Sequence, residues 1–134
     1  MIPSVLHKRV LRLAAIALVA TSAFSQSSPR YDPATETTVK GTVGEVKLVP
    51  PTGGKPIAYL VAKTGPDKDK DTVLIFLCPK SFLDDMGASF KAADAVEVTG
   101  SKVKHDSTDM ILAREVVKGD DVLTLRFKDG KPAW

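Results

Sequence analysis

Few side chains in this sequence have the type and spacing that chemistry needs. His105 stands in the run KHDSTD with Asp106 and Asp109 beside it. An imidazole flanked by carboxylates can move a proton or hold a cation weakly, but structural metal sites draw on several His or Cys ligands. A polar turn is the plainer reading. Asp67, Asp69 and Asp71 alternate as at the start of a calcium loop, yet the sixth position is Thr72 instead of glycine and the twelfth is Cys78 instead of glutamate. With lysines interleaved, the run reads as a solvated hairpin turn. Asp84 and Asp85 are neighbours on a helical stretch, and adjacent helix positions do not face each other, so they make a poor acid–base pair. Cys78 is the single cysteine; it follows the apolar run VLIFL, precedes Pro79, and reads as a small buried hydrophobe at a strand end. No G-x-S-x-G, C-x-x-C, H-E-x-x-H or phosphate-cradling glycine loop occurs. These residues point away from an enzyme and call for no cofactor and no metal.

The first residues look like an address label. Lys8, Arg9 and Arg12 form a basic start, Leu13 to Ala20 is apolar, and Ala23-Phe24-Ser25 offers small residues where a signal peptidase reads. Residues 1–25 are therefore expected to be a signal peptide cleaved before Gln26, which implies a periplasmic or secreted protein with no membrane span after cleavage, since the apolar run is short of the roughly 20 residues a span needs. The charge reading changes with it. The chain has 19 Lys and Arg against 16 Asp and Glu. Without Lys8, Arg9 and Arg12, 16 of each remain, so the pI near 9.0 describes the precursor and is no nucleic-acid footprint.

What positions the remaining side chains is a run of short strands. Residues 26–36, QSSPRYDPATE, read as a flexible lead-in. In TVKGTVGEVKLV the apolar phase changes near Gly44 and Glu45, which predicts a β-bulge in a long first strand. PPTGGK is a loop; IAYLVAK (Ile57 to Lys63) and TVLIFL (Thr72 to Leu77) are strands two and three. Phe82, Met86 and Phe90, four apart with Leu83 alongside, predict a helix with its apolar face buried, started by a Ser81–Asp84 capping pair. Val96, Val98 and Gly100 alternate in strand four, where the mid-strand glycine signals a close backbone approach, and Met110 to Val117 is strand five. Beyond residue 119, Val122 to Phe127 alternates and Asp129-Gly130 signals a hairpin. That hairpin would pair Lys128 with Lys131, Phe127 with Pro132 and Leu125 with Trp134, placing Leu125, Phe127 and Trp134 on one apolar face over an edge strand.

This order is all-β: a five-stranded barrel over residues 37–119, one short helix, and a C-terminal β-hairpin extension over 120–134. With DAVEVTGSKV followed by MILAREVVKG, it resembles the oligonucleotide/oligosaccharide-binding (OB) fold as found in small secreted bacterial proteins. AREVVKGDDVLTLRFKDGKPAW resembles an ending that recurs among such proteins, and the chain also resembles the MamS/MamX-type domain of magnetosome-associated proteins. Where such families usually carry Gly-Asp before strand four, this chain has Ala93-Asp94.

The resemblance implies binding through the barrel face and its loops. Strands two and three offer Tyr59, Lys63 and Phe76, and the loops offer Lys55, Lys102, Lys104 and His105 as ligand-binding residues. Two partner classes follow. One is a protein or small ligand bound by a non-enzymatic module. The alternative is a single-stranded nucleic acid or polysaccharide on the sheet, against which secretion and the neutral charge balance weigh.

Overall fold

The first strand is long because it serves two neighbours. A computed structural model describes residues 29–50, 52–67 and 70–134; the leader, the cleavage point before Gln26 and Asp69 of the acidic loop lie outside the described residues. Strand β1 (Glu36–Val49) pairs antiparallel through Glu36–Thr42 with β4 (Ala95–His105), and through Thr42–Val49 with β2 (Ile57–Lys63). The β1–β2 register shifts between Val43 and Glu45, which is the bulge expected from the change of apolar phase. It bends the strand so that each half joins a different wall.

β2 pairs with β3 (Thr72–Pro79), and β4 pairs with β5 (Thr108–Lys118). A short parallel contact, Ile75 beside Ile111 and Phe76 beside Leu112, closes the ring β1-β2-β3-β5-β4. Every other pairing is antiparallel, and β6 (Asp121–Thr124) adds to the outside of β5. Strict alternation in β2 sends Ala58, Leu60 and Ala62 inward, where they meet Val43, Ile75, Leu77, Val98, Ile111 and Val116. The architecture is thus the expected all-β barrel with one short helix, and Cys78 is fully buried in its core.

The helix differs from its expectation. α1 (Lys80–Met86) has Pro79 at its N-cap with no side-chain cap bond, so the Ser81–Asp84 pair does not form; Asp84 instead takes Lys80, one turn earlier, at 2.5 Å. Gly87 then ends the helix in the left-handed region (φ 69). A four-residue spacing counts only within an unbroken helix, so Phe90 does not extend the face of Phe82. Leu83 is the buried position, Phe82 and Phe90 are half-buried against the core, and Met86, expected inside, is 53% exposed.

The residues before and after the ring also depart from expectation. From Asp32 onward the lead-in is structured: the Asp32 carboxylate accepts the Ala34 N–H and caps a 3-10 turn at Pro33–Thr35, and the buried Ser101 hydroxyl accepts the Asp32 N–H and bonds the Thr35 hydroxyl. In the C-terminal hairpin the pairing is one residue off. Phe127 N–H donates to Lys131 O, Ala133 N–H donates to Leu125 O, and Arg126 bridges Pro132, because Gly130 (φ 93) takes the third place in a three-residue loop. In addition, the amides of Leu125 and Arg126 both donate to Arg114 O, a bulge that reverses the alternation. Leu125 enters the core, while Phe127 is 58% and Trp134 40% exposed, so the three do not share a face.

Ala93 occupies a position built for glycine, at φ 80. Its N–H donates to Val43 O at 2.7 Å while Val43 N–H donates to Asp94 O at 2.8 Å, so this turn pins the β1 bulge and cannot relax without losing both bonds. The left-handed region costs an L residue roughly 1–2 kcal/mol, and the extra freedom of unfolded glycine returns part of that. Ala93→Gly is therefore expected to stabilise by about 0.5–1 kcal/mol, seen as a rise of a few degrees in melting temperature. A fall would show that the turn is unstrained.

Candidate functional site

Strands β2, β3, β4 and β5 are apolar on their outer side as well as their inner one. Phe76, Met110 and Leu112 form a second buried cluster there, against which Tyr31, Ile57, Tyr59, Leu74 and Val103 pack. The Tyr59 ring meets Phe76 edge-on, centroids 5.3 Å apart at 80°. Burial raises the Tyr59 pKa above the ordinary tyrosine value.

At the end of this face a hollow of about 290 Å³ opens between the last part of β1 and the β4–β5 turn. Tyr59, Leu74 and Met110 form its apolar side, and Lys47, Val49, His105 and Asp106 frame it. The turn is tighter than the KHDSTD run implies. β4 continues to His105 and β5 begins at Thr108, with Asp106 (φ 49) and Ser107 (φ 65) alone making the reversal. His105 therefore projects from a strand end, its Nε2 3.4 Å from Asp106 Oδ2.

The structure divides the residues expected to bind. Tyr59 and His105 line one hollow. Phe76, at 9% exposure, is largely buried and meets the Tyr59 ring edge-on. Alternation along β4 sets Lys102 and Lys104 off from Val103 and His105; Lys102 lines an adjoining hollow with Thr37 and Val39 that shares Leu74 and Met110 with the first, and Lys104 sits 3.8 Å from Asp109. Lys63 lies at the far end of β2 with Lys40, and Lys55 is exposed in the loop before β2. Lys47, Val49, Leu74 and Met110 were not expected at the site. The signal for Lys47 is the same bulge: with Val46 and Leu48 in one phase, Lys47 falls in the other, directly opposite Tyr59 in the ladder.

Among the described residues, no group of three or more His, Cys, Asp or Glu is gathered as a metal site would need. In the acidic loop Asp71 N–H donates to Asp67 O. Nor does Cys78 join the site. Desolvation pushes its thiol up to about 12, which leaves almost no thiolate at pH 8. A maleimide is expected to label it at least about 100-fold more slowly in the native protein than in denaturant, as followed by mass; equal rates would mean an exposed thiol.

No helix among the described residues is long and apolar enough to cross a membrane. No curated protein matches the chain. The model of the MamS/MamX magnetosome protein family matches residues 35–123, which takes in the whole five-stranded ring, α1 and most of β6. The chain belongs to the MamS/MamX magnetosome protein family.

Proposed function

We propose that this protein is a non-enzymatic binding module, exported to the periplasm or beyond, that holds a protein segment or small ligand in the hollow around Tyr59 and His105. The observation that carries this reading is the hollow itself. An apolar side made by Leu74, Met110 and the half-buried Tyr59 ring stands beside polar groups from Lys47 and His105, an arrangement suited to orienting a ligand. Val49, 50% exposed at its edge, adds apolar surface for contact. The basic n-region and apolar run before Gln26 support export, and membership of a magnetosome protein family makes a component of that assembly the first partner to try.

Nucleic acid is the weaker reading because the 16 basic residues expected after cleavage are matched by 16 acidic ones, and Phe76 is only 9% exposed. The test is an amide NMR screen of the exported protein, its start checked by intact mass, against small organic ligands, candidate magnetosome proteins and oligothymidylate. Shifts are expected to gather on Lys47, Tyr59, His105 and Thr108, to persist at physiological salt, and to need about tenfold more ligand in Tyr59→Ala. Micromolar, steeply salt-dependent oligothymidylate binding that Tyr59→Ala abolishes would overturn the proposal.

A further inference from the structure

A further hollow lies where the segment before β1 and the C-terminal hairpin meet, outside residues 35–123 apart from its Ile57 and Phe76 wall. Arg126 is 6% exposed, and no carboxylate pairs with it among the described residues. Three aromatic rings surround its guanidinium instead: Trp134 at 5.1 Å, Tyr31 at 5.7 Å and Phe76 at 5.8 Å from the guanidinium carbon. Nη1 donates to Gly130 O at 2.9 Å, while the buried Nε has no partner. A desolvated cation whose N–H lacks an acceptor is costly, and aromatic faces offset the charge without accepting that bond in-plane. The hollow, of about 450 Å³, adjoins this guanidinium, with Arg30, Asp129 and Lys131 exposed at its rim.

The geometry points to a carboxylate site: the Arg126 guanidinium takes the carboxylate of a ligand along its Nε edge, and the aromatic walls take the ligand's apolar body. A side-on carboxylate supplies the acceptor that Nε lacks, and bidentate pairing is the geometry guanidinium favours. Nε is closed to bulk water, so the ligand enters by displacing Trp134, the most exposed of the three walls. The chemistry is shared by a small aryl or alkyl acid and by the free C-terminus of a protein chain ending in an apolar residue.

Trp134 is the only tryptophan, so its emission reports the site. The purified protein is titrated with phenylacetate and phenylacetamide, and with N-acetyl-Gly-Phe as the free acid and the amide, at constant ionic strength. Each acid is expected to shift Trp134 emission saturably and to bind at least about tenfold tighter than its amide. Arg126→Met is expected to remove that difference, and Lys131→Gln to change it by no more than about twofold. A peptide acid that binds at least about tenfold tighter than phenylacetate assigns a chain end as the source, and the reverse assigns a small acid. If Arg126→Met does not fold, the comparison of acid and amide on the unaltered protein still decides. Acid and amide titrating alike, or an acid preference that survives in Arg126→Met, would overturn the site.

Discussion

Gly100→Ala is expected to cost at least about 3 kcal/mol and to lower the melting temperature by roughly 10 °C or more, or to leave no folded protein. A Cβ at this position would lie 2.2 Å from Leu112 O, 2.8 Å from Leu112 C and 2.9 Å from Ala113 Cα, all of them backbone atoms that no rotamer change can move aside. Gly100 sits in the middle of β4, between Thr37 of β1 and Ala113 of β5, and the β4–β5 register shifts between Thr99 and Gly100. Relief would therefore separate β4 from β5 on the wall that carries Val98, Ala113 and Val116 into the core. Gly44→Ala is the control, since its Cβ would approach only Val61 O, at 3.4 Å, and the position is exposed; a change within about 1 kcal/mol is expected there. Similar melting temperatures for the two variants would mean that the barrel does not close tightly at Gly100.

The close approach at Gly100 was legible in the sequence because a glycine within the alternation of Val96 and Val98 has few other reasons to be there. The β1 bulge was legible for the same kind of reason, as one extra residue between Val43 and Val46 leaves a visible change of phase. Strand β2 runs over the residues its pattern indicates, Ile57–Lys63. Each of these signals is local to one strand. Met86 was misplaced because its face depended on where α1 stops, and Gly87 stops it before the four-residue spacing reaches Phe90. The candidate site was half visible: Tyr59 and His105 are chemically conspicuous, but Lys47 joins them only through the β1–β2 ladder. Arg126 gave no signal at all. An arginine in an alternating strand reads as outward and solvated, and only the bulge opposite Arg114, together with Tyr31 from the other end of the chain, buries it.

The C-terminal hairpin supplies the sharpest contrast between two adjacent apolar positions of the same alternation. A regular strand places Leu125 and Phe127 on one face, and their truncations would then have comparable effects. In the structure the paired amides of Leu125 and Arg126 on Arg114 O break that equivalence, leaving Leu125 at 0% exposure in the core cluster with Leu123 and Val116, and Phe127 at 58%. Removing the buried isobutyl group loses its transfer free energy and leaves a cavity that the closed ring cannot fully collapse. Leu125→Ala is therefore expected to destabilise by about 2–4 kcal/mol, and Phe127→Ala by less than about 0.5 kcal/mol, in urea unfolding with unchanged m-values. Because Leu125 lies beyond residue 123, where the family match ends, a large effect would also show that the hairpin is part of the barrel's own folding unit. Equal and small effects would mean that residues 125–134 dock loosely and that Arg126 is not held among its three rings. The reverse order, with Phe127→Ala the more damaging, would restore the single apolar face of Leu125, Phe127 and Trp134 and remove the bulge.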